Sequence, residues 1–206
     1  MDDRKLEILD VTRKLINEKG LRNMSTNDIA RAVGISRGTL YHHFESKEAI
    51  LDALVEQIST DIYKRARGIA EDTSIPVIER ILKTVLSLNV SNGPDHVILE
   101  HLNSPNNILI HQKVQKDMLQ TLPGILAKII EDGNKAGIFN TKHPYECMEV
   151  LVAYISLVFD GDFIELNEEE SHSRLIALIC NMERMLGAQA GTLHSFVDAI
   201  AYGKEV

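Results

Sequence analysis

No apolar run in this 206-residue chain reaches the roughly 18 residues that a membrane-spanning helix needs. The charged start Met1-Asp2-Asp3-Arg4-Lys5 is not followed by the apolar stretch of a secretory leader, so the expected location is cytoplasmic, with no membrane partner. Cysteine is scarce. Cys147 and Cys180 sit inside apolar helical patterns without metal-ligand spacing and read as reduced core residues. A glycine-rich phosphate loop is also missing, as is any nucleophile accompanied by a base and an orienting group. These absences argue against an enzyme and against a resident cofactor or metal. No segment alternates with period two for long enough to form a strand, and there are no internal repeats.

What remains is helical. With 44% hydrophobic and 25% charged residues, the chain can bury a full core and form one small and one larger domain. The formal net charge of −8 is unevenly placed. Residues 1 to 67 hold 12 Lys and Arg against 11 Asp and Glu, and the remainder holds 10 against 19. An acidic second part disfavours a polyanion lying across it and leaves the first part as the place for one.

The expected fold class is all-α. A first helix runs from about Asp3 to Lys19, with Ile8, Leu9, Thr12, Leu15 and Ile16 on one face and Gly20 as its stop. A long helix begins near Ser46 and carries Ile50, Leu51, Leu54, Val55, Ile58 and Ile62 to about Asp72. Beyond it, proline marks helix starts or breaks: Pro76 opens one helix, Pro94 a short one, and Asn106 or Asn107 a long one broken or kinked at Pro123. Pro144 opens another, running to about Phe163.

Residues 25 to 47 carry the most specific signal. Ser25 is a good N-cap, Asp28 can bond back to it, and Ile29, Ala30 and Val33 give one short helix an apolar face. Gly34 supplies the positive φ of a sharp stop, and Ser36 caps a second helix only about two turns long. Leu40 and Phe44, at i and i+4, suit the inner face. The outward positions hold a different chemistry. Arg37 can fork onto guanine or phosphate, Gly38 permits close backbone approach, and Thr39 offers a hydroxyl and a methyl. Tyr41, His42 and His43 follow as phosphate donors, with Lys47 at the start of the next helix. Ser25 and Thr26 sit at the start of the supporting helix. A helical hairpin buried in an ordinary core would not need glycine, threonine and two histidines facing outward. The pattern predicts a helix-turn-helix with its second helix in the major groove of duplex DNA.

The segment Gly34-Ile35-Ser36-Arg37-Gly38-Thr39-Leu40-Tyr41-His42-His43-Phe44 resembles the DNA-binding domain of the TetR/AcrR family of bacterial transcriptional regulators. The likeness extends upstream through Ile8, Leu9, Leu15, Ile16, Gly20 and Leu21, and downstream through Lys47, Glu48 and Leu51. Val33 stands where alanine is usual and Thr26 where valine is common. The resemblance implies an N-terminal three-helix DNA-binding domain followed by a larger helical domain for effector binding and dimerisation. The expected boundaries are residues 1–48 and 49–206, with a linking helix over about 46–72.

Two further sets of residues carry expectations. Residues 147 to 159 are apolar nearly all round, and Leu175, Leu178, Ile179, Met182, Met185 and Leu186 form a seam at spacings of three and four. With Leu151 and Ile155, they are the expected homodimer interface, because one helix-turn-helix reads too few base pairs alone. The resemblance implies the same dimer. Leu86, Leu102, Leu109, Met118, Leu122, Leu126 and Tyr154 can line a pocket for a small apolar or aromatic effector, or can simply fill a core.

His96, Glu100 and His101 form a cluster in which i, i+4 spacing can hold a metal, although their order matches no zinc-protease signature. Solvated histidines on a short helix are the simpler account. Three function classes follow: an effector-responsive repressor on a palindromic operator, a DNA-bound adaptor that recruits a protein, and, remotely, a metal-dependent enzyme using the histidine cluster.

Overall fold

Two apolar clusters organise the chain, and in the computed structural model each belongs to a separate compact unit. The structure describes residues 2–88, Asp95, Ile98, 108–159 and 164–202, with the backbone alone for Leu109, Asp198, Ile200, Ala201 and Tyr202. Among the described residues there is no strand, and no helix is long and apolar enough to cross a membrane.

The first unit comprises residues 1–62 and 89–114. Its first helix, α1 (Asp3–Lys19), is capped by the Asp2 carboxylate, which accepts the Arg4 N–H, and it buries Ile8, Leu9, Thr12, Leu15 and Ile16 as its periodicity predicts. A single 3-10 turn (Leu21–Asn23) leads to α2 (Thr26–Val33) and α3 (Arg37–His43). Next comes α4 (Lys47–Glu71), whose first half buries Ile50, Leu51, Leu54, Val55 and Ile58 in the same cluster. Each such aliphatic side chain, once fully buried, contributes about 1.5–3 kcal/mol. The division between units falls inside α4, after Ile62, whereas the sequence reading drew it between residues 48 and 49, with a linking helix over about 46–72. The reason lies in those five side chains, which complete the first core.

The second unit comprises residues 63–88 and 115–206. It contains the rest of α4, then α5 (Val77–Ser87), most of α6 (Ile108–Lys135), α7 (Pro144–Val158), α8 (Glu168–Leu186) and α9 (Ser195–Tyr202). Of the two outcomes expected at Pro123, a break or a kink, the break does not occur, because α6 passes through it without ending. Two outcomes differ from expectation. α7 stops at Val158, capped by Phe159, rather than reaching Phe163. α9, unforeseen, helps close the core with Phe196, Val197 and Ala199. The loop before it is held by the buried Glu183 carboxylate, which accepts the Gly191 and Leu193 N–H groups at 3.0 and 2.7 Å.

The apolar seam on α8 is real but faces inward. Leu175, Leu178, Ile179, Met182 and Leu186, expected at a homodimer interface, are buried in the unit's own core. Periodicity identifies an apolar face without naming what covers it. The outward apolar residues include Val150, Ile155 and Leu157 on α7, with Ile176 and Met185 on α8, while Leu151 is half-buried. Cys147 is buried, and Cys180 is exposed rather than in the core.

The short helix expected after Pro94 lies mostly outside the described residues, as do His96, Glu100 and His101. Among the described residues no group of three or more His, Cys, Asp or Glu could hold a metal.

Candidate nucleic-acid interface

The turn between α2 and α3 is built by local hydrogen bonds. The Ser25 hydroxyl oxygen accepts the Asp28 N–H at 3.2 Å, and the Asp28 carboxylate accepts the Ser25 N–H at 3.0 Å, forming a capping box. The Ser25 hydroxyl, which donates to the same carboxylate at 2.5 Å, and then the Ser25 N–H hold the Asp28 pKa down to about 2. Gly34 ends α2 at φ 75° and ψ 30°, a left-handed conformation that disfavours any side chain. The chain reverses there, and the Ile35 N–H reaches the Ala30 carbonyl at 2.9 Å. Ser36 then caps α3, accepting the Thr39 N–H at 3.0 Å. Leu40 and Phe44 are buried in the first unit's core and fix the rod from beneath.

Apart from Gly38, everything outward on that rod is polar or aromatic. Ser36, Arg37, Gly38, Thr39, Tyr41 and His42 are all exposed. The Arg37 guanidinium lies over the Tyr41 ring at 5.5 Å, and one of its nitrogens is 3.5 Å from the Tyr41 hydroxyl. A hydrogen bond with Thr26, followed by the Arg37 contact, lowers the Tyr41 pKa. Thr26 is half-buried and thereby joins α2 to the α3 surface, while Ser25 remains exposed. The arginine is pre-positioned on an aromatic face, with donors left to offer a base or a phosphate.

Two of the expected contact residues are placed differently. His43 is half-buried at the C-terminus of α3, with its Nδ1 3.7 Å from the Asp2 carboxylate and its ring edge-on to that of His42. Lys47 is also half-buried. Its ammonium donates to the Leu21 carbonyl at 2.9 Å and the Met24 carbonyl at 2.6 Å, tying the turn before α2 to the start of α4. A charge at a helix start suggests a phosphate partner from sequence alone. Here two main-chain oxygens, those of Leu21 and Met24, hold it.

Of the expected effector residues, Leu86, Met118, Leu122, Leu126 and Tyr154 fall on the second unit, whereas Leu109 falls on the first. Leu122 and Leu126 are buried core residues, whereas Leu86, Met118 and Tyr154 are half-buried beside that core. Leu102 and the Leu109 side chain lie outside the described residues. Phe159 packs edge-on to Tyr154, with ring centroids 6.1 Å apart. Sequence reasoning missed Tyr63 and Asp117, a polar pair at the margin of this cluster. Burial first, and then the Asp117 carboxylate, raise the Tyr63 pKa. The available signal was position, since Tyr63 continues the apolar stripe through Ile58 and Ile62. Also missed was Arg80, 2% exposed, which pairs with Asp132 at 3.2 Å and donates to the Ala70 carbonyl at 3.3 Å.

Known proteins resemble both parts of the chain. The profile described as bacterial regulatory proteins, tetR family, matches residues 8–54. A second profile, tetracyclin repressor-like C-terminal domain, matches residues 91–180. The HTH-type transcriptional repressor KstR2 of Rhodococcus jostii is 28% identical over 137 residues, covering 64% of this chain and 67% of that protein. The nucleoid occlusion factor SlmA of Actinobacillus pleuropneumoniae is 33% identical over 103 residues, covering 48% of this chain and 51% of its own length. The chain thus spans about half the length of that relative and two thirds of the first. Among solved structures, RolR in complex with resorcinol shares the fold, with a TM-score of 0.59 and 17% identity over 95% of this chain and 93% of that one.

Proposed function

Because the chain belongs to the tetR family of bacterial regulatory proteins, which regulate transcription by binding DNA, we propose that it is a homodimeric, effector-responsive repressor of a palindromic operator. The observation that carries this reading is the exposed strip on α3, with Arg37 stacked on Tyr41 above a core that immobilises Leu40 and Phe44. A seven-residue helix spans too few base pairs to specify a site, so two copies, related by a two-fold axis, read two half-sites. The proposed dimer surface consists of the outward residues Val150, Ile155 and Leu157 of α7 and Ile176 and Met185 of α8, with Leu151 at its margin. The repressor KstR2 supports the sign of regulation.

The proposed effector is a small apolar or aromatic molecule received beside Leu86, Met118 and Tyr154. RolR, which shares the fold, holds the aromatic compound resorcinol. In this reading the protein works in the cytoplasm, and effector binding acts on operator affinity through α4, which runs from the first unit into the second. The second reading, a DNA-bound adaptor that recruits a protein, is kept by the likeness to a nucleoid occlusion factor.

Selection of bound duplexes from a random pool tests the first reading and should enrich an inverted repeat. A compound that releases the selected duplex should itself bind more weakly when that duplex is present, by the same factor. Coupling of this kind is commonly about 5- to 150-fold, and it must be reciprocal. Identical compound affinity with and without duplex favours the adaptor.

A further inference from the structure

The unit that carries α3 is assembled from two stretches of chain, because residues 89–114 join residues 1–62 in it. In the second stretch, Asp95 and Ile98 are both buried, and the Ile98 N–H closes a turn onto the Asp95 carbonyl at 3.0 Å. Ile98 belongs to the same apolar cluster that seats Leu40 and Phe44. The Asp95 carboxylate receives both arms of the Arg13 guanidinium: Nε donates to one oxygen at 2.5 Å and a terminal nitrogen donates to the other. Arg13 lies on α1, whose buried face is part of that cluster as well.

The surroundings of Arg13 make this fork more than a surface ion pair. Asp61 of α4 lies 3.6 Å from the guanidinium, and Asp10 of α1 adds to the negative field around it. Three carboxylates therefore face this cation, and the one it forks onto is the most deeply buried. Without the guanidinium, Asp95 would stay buried near two other acids, and its stretch of chain would be driven out. A lysine keeps the charge but cannot offer two parallel donors. The peripheral pair of Lys113 with Glu56, at 3.2 Å, is exposed at both ends and adds little.

We propose that Arg13 and Asp95 are positioning residues for DNA reading: their fork fastens the chain at Asp95 to α1, keeps Ile98 in the apolar cluster that also seats Leu40 and Phe44, and so holds the reading helix in its DNA-competent setting. Asp95 and Ile98 then act on α3 through the first unit's core rather than along α4. This inference rests on the DNA-binding reading above.

The test uses the full-length protein, its Arg13→Lys, Asp95→Asn and Asp61→Asn variants, and the Arg13→Lys/Asp95→Asn double variant. Each is titrated with the duplex that the wild-type protein selects from a random pool, at a temperature where circular dichroism shows it folded. Backbone hydrogen exchange is measured separately without DNA. The expected result is a loss of at least about fivefold in affinity for Arg13→Lys and for Asp95→Asn, with the double variant no worse than the weaker single. Exchange should accelerate around residues 95–98 and in α1, whereas Asp61→Asn should change affinity less than about twofold. If Asp95→Asn does not fold, Arg13→Lys carries the comparison. Unchanged affinity in folded variants with faster exchange would show a purely structural pair and overturn the proposal. Independent, additive losses would overturn it too. A wild-type protein that enriches no duplex would remove the DNA-binding reading itself, and the exchange data would still report whether the fork holds the stretch.

Discussion

Asp28 and Lys47 show how far a residue's type predicts its work. The serine and acid three residues apart read correctly as a capping box, because both partners are local and their geometry follows from helix entry. Its consequence is measurable. The Asp28 carboxyl titrates at about 2 in the folded protein against an ordinary 3.8, so its stabilising contribution is complete above the usual carboxylate range and lost as pH falls through about 2. An NMR titration of the side chain should show that low value, and Asp28→Asn should abolish this part of the acid response. A midpoint near 4 would mean the box does not form. Lys47 was legible as a cation at a helix start, but not as the donor to Leu21 and Met24, since those carbonyls meet it only through tertiary folding. Lys47→Met should therefore lower the unfolding temperature, leaving two buried acceptors short of partners, at a cost of about 1–3 kcal/mol. An unchanged unfolding temperature, with weaker binding to every duplex, would return Lys47 to the role of a phosphate contact. Arg80 lies at the far end of this scale, since nothing in its spacing marks a charged side chain for the interior. Removing its partner with Asp132→Ala should cost about 3 kcal/mol, the lower end of the range for breaking a buried pair, because Asp132 is partly solvated. Denaturant unfolding reads that cost directly.

At the scale of the element, helix starts were the easiest features to place. Ser25 and Ser36 cap their helices through side-chain oxygens and α1 starts at Asp3, all as read, whereas the Asn167 cap of α8 was not read. Pro76 precedes α5 and Pro144 opens α7, as proline chemistry requires. The end of α7 and the interior proline were harder, since α7 stops at Val158 and α6 continues through Pro123. The partner of an apolar face is a tertiary property, and α8 shows the difference. Met182 is 2% exposed in its own unit, so Met182→Glu should unfold that unit rather than split a dimer. Ile176→Glu, on the outward face of the same helix, should leave the unfolding temperature nearly unchanged for the monomer while abolishing dimers in sedimentation. A folded Met182→Glu protein would place the seam at an interface after all. A dimeric Ile176→Glu protein would remove the outward face from it.

For the whole molecule, the all-α fold and the reading unit were legible because they depend on periodicity, caps and one tight turn, all short-range signals. Discontinuity of the units was not. Residues 89–114 return to the first unit through side chains such as Asp95 and Ile98, whose partners lie far away in sequence. An effector site was legible only as a supply of apolar residues, two of which, Leu122 and Leu126, turn out to fill the core. The central claim is that the exposed face of α3 reads bases. Its most direct test is the affinity of wild-type and Arg37→Ala proteins for the selected duplex and for a panel carrying every single-base change. If Arg37 pairs with a base, the variant should lose about 1–3 kcal/mol on the selected duplex and become indifferent to one position in each half-site. An equal loss on every duplex in the panel, with discrimination intact at all positions, would contradict it.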